Sequence, residues 1–281
     1  MWVSHQRSFL RVVLLIGTIG LHSLATVSLE AQTIKFGGTG GAYGTMQVLA
    51  EAFKKTHPAV KVMTVPGLGS GGGRKALLGG VIDIAVTSKP GMDSEKLDGA
   101  VIMPLGRTPL VFATSKKNTA SALTTQELVD IWNGKTITWS DGSRLRLVLR
   151  PETDSDTEVL KRISPAMEQA VKHSLSREGM KVTMTDGETA DAIESIPGAL
   201  GTCLLALIIS EKRALKALAV NGIAPSAKTI ADGSYPYFKS LYMLTGIKPS
   251  GPAEEFTAFL RSPAGRKILT QLGYWMEGAS P

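Results

Sequence analysis

The sequence predicts an α/β protein with mostly parallel sheets. Short apolar runs of strand type alternate with segments whose apolar residues recur at helical spacing. Glycine-rich turns stand where several of these strands end and helices begin. The length, 281 residues with 43% hydrophobic and 20% charged residues, suffices for two modest packed units or one large one.

The elements follow in order. Residues 33–36 (TIKF) form a short strand before the turn GGTGG, and in 45–56 Met46, Leu49, Ala50 and Phe53 line one face of a helix. VKVMTV (60–65) alternates as a strand, and a helix over 73–78 ends at Gly79-Gly80. VIDIAV (81–86) and LVFAT (110–114) read as buried strands. A helix over 124–132 has Thr124 or Thr125 as N-cap and Glu127 in its first turn. LRLVL (145–149) is a strand ending at Arg150, and a helix over 157–164 stops at Pro165. Residues 198–209 read as a turn plus an apolar strand, LYMLT (241–245) as a strand, and 253–260 and 265–272 as terminal helices. No repeat, low-complexity segment or Pro/Ser-rich linker divides the chain, so two lobes would share strands as hinges.

The N-terminus sets the expected compartment. Residues 1–11 carry Arg7 and Arg11 and no acid, 12–29 are mostly apolar, and Ala31 follows. This is the layout of a secretory signal peptide over 1–31; its core is too short and too interrupted for a membrane span. The single cysteine, Cys203, lies in the apolar run 202–209 and reads as a small buried hydrophobe. An exported chain without an intramolecular disulfide fits a bacterial periplasm. The net charge is +7, but the densest cation clusters, Lys54-Lys55 and Lys116-Lys117, are only pairs and do not alternate with aromatics. That distribution argues against nucleic acid.

Four loops share one character: GGTGGAYG (37–44), GLGSGGG (67–73), TSKPG (87–91) and RPETDSDT (150–157). Each follows a strand, is rich in glycine or hydroxyls, and precedes a helix. Glycine admits close approach of backbone N–H groups, and a helix N-terminus presents unpaired donors and partial positive charge. Arginine adds a planar, permanently charged fork. Converging, the four would form a dry site for a tetrahedral oxyanion. Two other uses compete for GLGSGGG. Gly67, Gly69 and Gly72 fit G-x-G-x-x-G, but no acid ends a second strand about 20 residues on, since Asp83 lies mid-strand. The phosphate-loop pattern fails, because Arg74-Lys75-Ala76 follows the glycines. A plain linker fits poorly between two apolar segments. His22 lies in the leader, His57 precedes Pro58, His173 lies in a polar helical stretch, and no cluster has metal-ligand spacing. The sequence therefore offers no catalytic residue, metal or cofactor.

In the order GGTGGAYG, GLGSGGG, VIDIAV with TSKP, TTQELVDIWNGKTITWSDG, LRLVLRPETDSDT, IPGALGT and IADGSYPYFKSLYML, the chain resembles the periplasmic phosphate-binding proteins of phosphate ABC transporters. The similarity runs over about 33–275. It implies a type 2 periplasmic binding protein fold: two α/β lobes joined by two crossing strands. Lobe one would hold 33–112 plus 242–281, and lobe two 113–241. It implies a monomer that closes over phosphate and delivers it to an inner-membrane ABC permease. Another tetrahedral oxyanion (sulfate, molybdate, tungstate, a phosphorus analogue) or an anion-sensing module without transport are the alternatives. A secreted hydrolase would lack an activated nucleophile.

Carried over residue by residue, the resemblance implies anion contacts from the Ala42 and Tyr43 N–H groups, Ser70 and Gly71, Ser88, and Arg150 with Ser155 and Thr157. Three departures stand out. Ala42 replaces a usual hydroxyl. Lys89 replaces an aspartate that accepts a proton from protonated phosphate and so excludes sulfate. Arg150 precedes Ser155 by five residues rather than four, and Asp156 stands for a glycine. The expectation is that Asp156 takes over the acceptor role, while Lys89 faces solvent or pairs with an acid. Arg150→Ala is expected to abolish binding and leave the fold intact.

Overall fold

The computed structural model describes residues 32–88 and 99–277. The expected signal peptide (1–31) and Lys89 lie outside the described residues.

The chain runs β1 (Gln32–Gly38), a 3-10 turn (Gly40–Ala42), α1 (Tyr43–Lys54), β2 (Val60–Val65), α2 (Gly69–Leu78) and β3 (Ile84–Thr87). Then come β4 (Ala100–Ser115), β5 (Ala122–Leu123), α3 (Thr125–Trp132), β6 (Arg146–Leu149), α4 (Ser155–Lys161) and α5 (Pro165–Ser176). β7 (Lys181–Val182), α6 (Asp186–Ser195), β8 (Ala199–Leu204), α7 (Leu205–Ser210), β9 (Leu215–Ala217) and β10 (Ala219–Val220) follow. The last elements are α8 (Ala227–Ala231), β11 (Phe238–Gly246), α9 (Gly251–Arg261) and α10 (Pro263–Gln271).

The fold is a two-lobed α/β architecture. β1 pairs in parallel with β2 and β3, and β6 pairs in parallel with β7 and β8. The long strands β4 and β11 connect these groups. β11 lies antiparallel between β3 and the first part of β4; past Pro109, β4 leaves β11 and pairs with β8 and β9. Only residues 110–114 of β4 were legible as strand, because Pro104, Gly106 and Pro109 interrupt the pattern. The register shifts opposite Leu241–Tyr242, so the extra residue, Leu105, is absorbed as a bulge at Gly106, whose φ is +140°.

Three further elements differ from the sequence expectations. The apolar run 198–209 is β8 followed by α7; both are buried, and a short apolar run does not distinguish a strand from a helix. The Thr108 hydroxyl accepts from the Ala206 N–H and ties this turn to β4. Pro165 does not merely stop α4: Ser164 caps α5 and Pro165 occupies its first turn, where the missing N–H costs nothing. α6, with the polar sequence DGETADAIES, had no counterpart in the sequence reading. It is fixed by a reciprocal cap in which Thr185 accepts from the Glu188 N–H and Glu188 accepts from the Thr185 N–H.

α2 begins at Gly69 inside the glycine run, four residues earlier than expected, and packs backbone to backbone on β1. A Cβ on Gly73 would lie 2.6 Å from Gly38 Cα, and one on Gly38 (φ +125°) would lie 1.9 Å from the Val86 carbonyl. Gly38→Ala is therefore expected to destabilise the fold by about 3 kcal/mol or more, read as a lower urea midpoint with unchanged slope.

Candidate anion site

Two groups of polar residues stand at strand ends. The first lies at the C-terminal ends of β1 and β3. The Ser88 N–H donates to Ser70 Oγ at 3.1 Å, and the two hydroxyls lie 3.2 Å apart. Ser70 is the second residue of α2, so it sits at the positive end of that helix, with the exposed Gly71 next to it. The first glycine loop is wound into its 3-10 turn. The Ala42 N–H donates to the Thr39 carbonyl at 3.2 Å, and the Tyr43 N–H donates to the Gly40 carbonyl. The two amides expected to hold the anion are thus already engaged. The Gly40 and Gly41 N–H groups open the turn and have no acceptor within it. The Tyr43 hydroxyl donates to the Gly38 and Val65 carbonyls, at 3.1 and 3.2 Å, and locks the loop between β1 and β2. Burial raises its pKa above the ordinary tyrosine value.

The second group lies at the end of β6. Arg150 is 6% exposed. Its Nη2 pairs with Asp154 Oδ2 at 2.6 Å, and its Nη1 donates to the Thr183 carbonyl at 3.2 Å and to Thr189 Oγ1 at 3.4 Å. Its Nε is buried without a partner among the described residues. Asp154 also caps α4 by accepting from the Asp156 N–H at 2.9 Å. Ser155, the first residue of α4, is half-buried, and its hydroxyl has no partner among the described residues. The Thr157 hydroxyl donates to the Arg150 carbonyl at 3.3 Å.

Asp156 is 1% exposed and points into the interior. Its Oδ1 pairs with Lys239 Nζ at 2.5 Å, and its Oδ2 accepts from Thr202 Oγ1 at 3.0 Å. Burial opposes its charge, but Lys239 and Arg150 outweigh that and hold its pKa below the usual carboxylate range. Burial likewise opposes the charge on Lys239, and Asp156, Asp186 and Asp154 more than offset it.

Asp186, the first residue of α6, joins the two groups. A Cβ on Gly40 would lie 3.0 Å from its Oδ2, and one on Gly41 would lie 3.3 Å from its Oδ1. Its carboxylate thus rests against the first glycine loop while feeling Lys239 and Arg150.

The structure therefore brings Ser70 to Ser88, and Arg150 to Asp156 and Thr157, with Ala42 and Tyr43 in the loop that meets Asp186. Among the described residues no hydrogen bond joins the serine pair to the arginine group. Asp154, Asp186 and Lys239 were missed in the sequence. Lys239 had a usable signal, as a lone cation inside the apolar strand FKSLYML; Asp186 stands in the capping sequence TDGE. Beside Arg150, a cavity of about 10 Å³ is lined by Thr157, Thr202 and Val148. A larger one, about 350 Å³, lies around Arg144, Arg146, Arg177 and Ile131, at the opposite end of β6.

A family model described as a PBP superfamily domain matches residues 25–263. The chain is 25% identical over 239 residues to the phosphate-binding protein PstS of Bacillus subtilis, spanning 80% of this chain and 74% of that protein. It is 25% identical over 278 residues to the protein SphX of Synechococcus elongatus, spanning 90% and 80%. Among solved structures it is similar to a protein from Clostridium perfringens assigned as the substrate-binding protein of a phosphate ABC transporter, with bound phosphate. The TM-score is 0.71 at 19% identity, over 87% of this chain and 99% of that one. An ABC-type phosphate transport receptor from Vibrio cholerae gives a TM-score of 0.58 at 22% identity, over 86% and 99%. No helix among the described residues is long and apolar enough to cross a membrane.

Proposed function

The chain belongs to the PBP superfamily, and on that premise we propose that it is a periplasmic receptor that captures phosphate for an ABC importer. The observation that carries the reading is Arg150: a buried guanidinium just before α4, with an unpartnered Nε. The similarity to proteins named for phosphate binding supports the choice of anion. Ser70, Gly71 and Ser88 would hold the anion from one side, and Arg150, Ser155 and Thr157 from the other. Ala42 and Tyr43 shape the loop between, with Gly40 and Gly41 taking over the donor role first expected of them. Lys89 remains a candidate contact outside the described residues. Asp156, saturated by Lys239 and Thr202, balances the charge behind Arg150 and is not a direct acceptor.

The lobes would divide at 33–112 with 242–281 and at 113–241, with β4 and β11 as hinge. Closure on the anion would present both lobes to an inner-membrane permease as the delivery signal. Export would use residues 1–31 as a signal peptide, and the receptor would act as a monomer that binds and releases its ligand unchanged.

A thermal-shift screen of the chain lacking residues 1–31, against phosphate, arsenate, phosphite, sulfate, molybdate and tungstate, tests this. Phosphate at a hundred times its Kd should add about 2.7 kcal/mol. For a chain of this size that is a rise of roughly 5–10 °C in Tm. If no oxyanion moves the transition, the receptor reading is wrong.

A further inference from the structure

We propose that the cavity at the start of β6 is a second binding site, for a small organic anion that carries an apolar, ring-sized body. It lies at the opposite end of β6 from Arg150, and the proposal holds whether or not that end binds phosphate.

Three segments build most of the cavity: the turn after α3 (134–137), the entry to β6 (144–147) and the stretch leading from α5 into β7 (177–181). Hydrogen bonds fix the first two. The Leu145 N–H donates to the Ile137 carbonyl at 2.9 Å, and the Arg146 N–H donates to the Gly198 carbonyl at 3.0 Å. Arg146 Nη1 donates to the Pro197 carbonyl at 2.7 Å, which holds that guanidinium in place. Arg177 is held from two sides. Its Nη2 donates at 3.2 Å to the Trp132 carbonyl, at the end of α3, and its Nη1 lies over Gly134, where a Cβ would come within 2.1 Å. Gly134 also has φ +75°, so both the space and the backbone favour glycine there. Arg177 Nε is buried and has no partner among the described residues.

The lining selects the occupant by charge and by size. Arg144, Arg146, Arg177 and Lys181 line the cavity, no carboxylate does, and none of these four cations forms an ion pair among the described residues. Arg177 offsets the partial negative charge at the end of α3, and the other three are left to set the local field. Between the cations the surface is apolar, with Ile131, Leu145, Leu147 and Ile196. Ile137, which also lines the cavity, is 62% exposed. A guanidinium takes a carboxylate, sulfonate or phosphate ester through paired N–H donors, and it stacks on a flat ring. At about 350 Å³ the cavity stands at the lower end of the range for small-molecule sites, about 300–1,000 Å³. A bare oxyanion would leave the apolar surface against water, and an extended acidic peptide would outrun the cavity. One anionic group on a ring satisfies both the charge and the apolar surface.

Fluorescence titration with anilinonaphthalene sulfonate, on the chain lacking residues 1–31 and on its double variant Arg144→Gln/Arg146→Gln, tests the proposal. The wild type should bind the probe saturably at one site. The double variant should bind it at least tenfold more weakly. In the wild type, naphthalenesulfonate should displace the probe at least tenfold better than naphthol, which keeps the rings without the charge. Inorganic phosphate and hexaglutamate should leave the probe in place. Wild-type affinity in a folded double variant overturns the proposal. If that variant does not fold, the wild type decides: equal displacement by naphthol and naphthalenesulfonate overturns it. Displacement by phosphate puts the probe at the Arg150 end, and displacement by hexaglutamate marks a peptide groove. Either result, or the absence of saturable binding, also overturns the proposal, and none of them bears on the receptor reading.

Discussion

Arg150→Ala is expected to lose phosphate binding by more than a hundredfold. Removing a buried, hydrogen-bonded charge from a binding site costs about 2–5 kcal/mol or more, because its partners stay behind unpaired. Here those partners are numerous. Asp154 loses its ion pair, the Thr183 carbonyl loses a donor, and Asp156 loses one of the two cations that keep it ionised. The sequence alone suggested an intact fold, but these partners argue for a loss of stability. We expect the variant to lose about 2–4 kcal/mol of stability as well, visible as a lower urea midpoint. Arg150→Lys separates the two effects. It retains the charge near Asp154 but not the planar fork, so most of the stability should return while phosphate affinity stays at least tenfold below wild type. Calorimetry alongside urea unfolding of both variants checks this; wild-type affinity in Arg150→Ala would remove Arg150 from the site.

Lys239→Met should be the most destabilising single change at the cluster. It leaves Asp156, 1% exposed, with Thr202 as its remaining side-chain partner. Breaking a buried pair from one side costs about 3–5 kcal/mol, or roughly 10 °C in Tm for a chain of this length. Adding Asp156→Asn should restore much of the loss, since the amide removes the stranded charge and can still accept from Thr202. The pH dependence follows from the directions of the shifts. In the wild type, Asp156 is depressed, so its contribution is present above its unfolded value near 3.9 and is lost as pH falls through the folded one. Lys239 is raised, so its contribution is complete below its unfolded value near 10.4 and is lost as pH rises through the folded one. Between these limits, the pair keeps its full effect. In Lys239→Met, the stranded carboxylate is raised by burial, so the Tm deficit should shrink between pH 8 and pH 5. Scanning calorimetry on the three proteins at both pH values measures it, and a deficit independent of pH would contradict this account of Asp156.

Much of the local structure was legible because it rests on nearest-neighbour rules. The cap at Thr124, the helix ending at Gly79-Gly80, and the alternating strand VKVMTV all appear where their residues place them. What the sequence hid has specific causes. β4 is broken by two prolines and a glycine that a bulge accommodates; α6 is polar and is held by its caps; and 198–209 is apolar on both sides of a strand-to-helix junction. In the candidate site, Arg150, Ser70 and Ser88 were visible as residue types in glycine-rich turns. The loss of the Ala42 and Tyr43 amides to a 3-10 turn was not, since hydrogen-bond direction depends on how the loop winds.

The sequence by itself determined that this is an α/β chain whose glycine-, serine- and arginine-bearing loops suit an oxyanion. Helix termini and backbone amides act on whatever lies beside them in the chain. Only the tertiary structure decided that Asp156 is paired inside the protein. Asp156 was expected to accept a proton from the anion but meets Lys239, 83 residues away, while Asp186, unread in the sequence, lies against Gly40 and Gly41. Charge depends on through-space neighbours and on burial. Both are set by how β4 and β11 bring distant segments together, and neither is written into the spacing of residues along the chain.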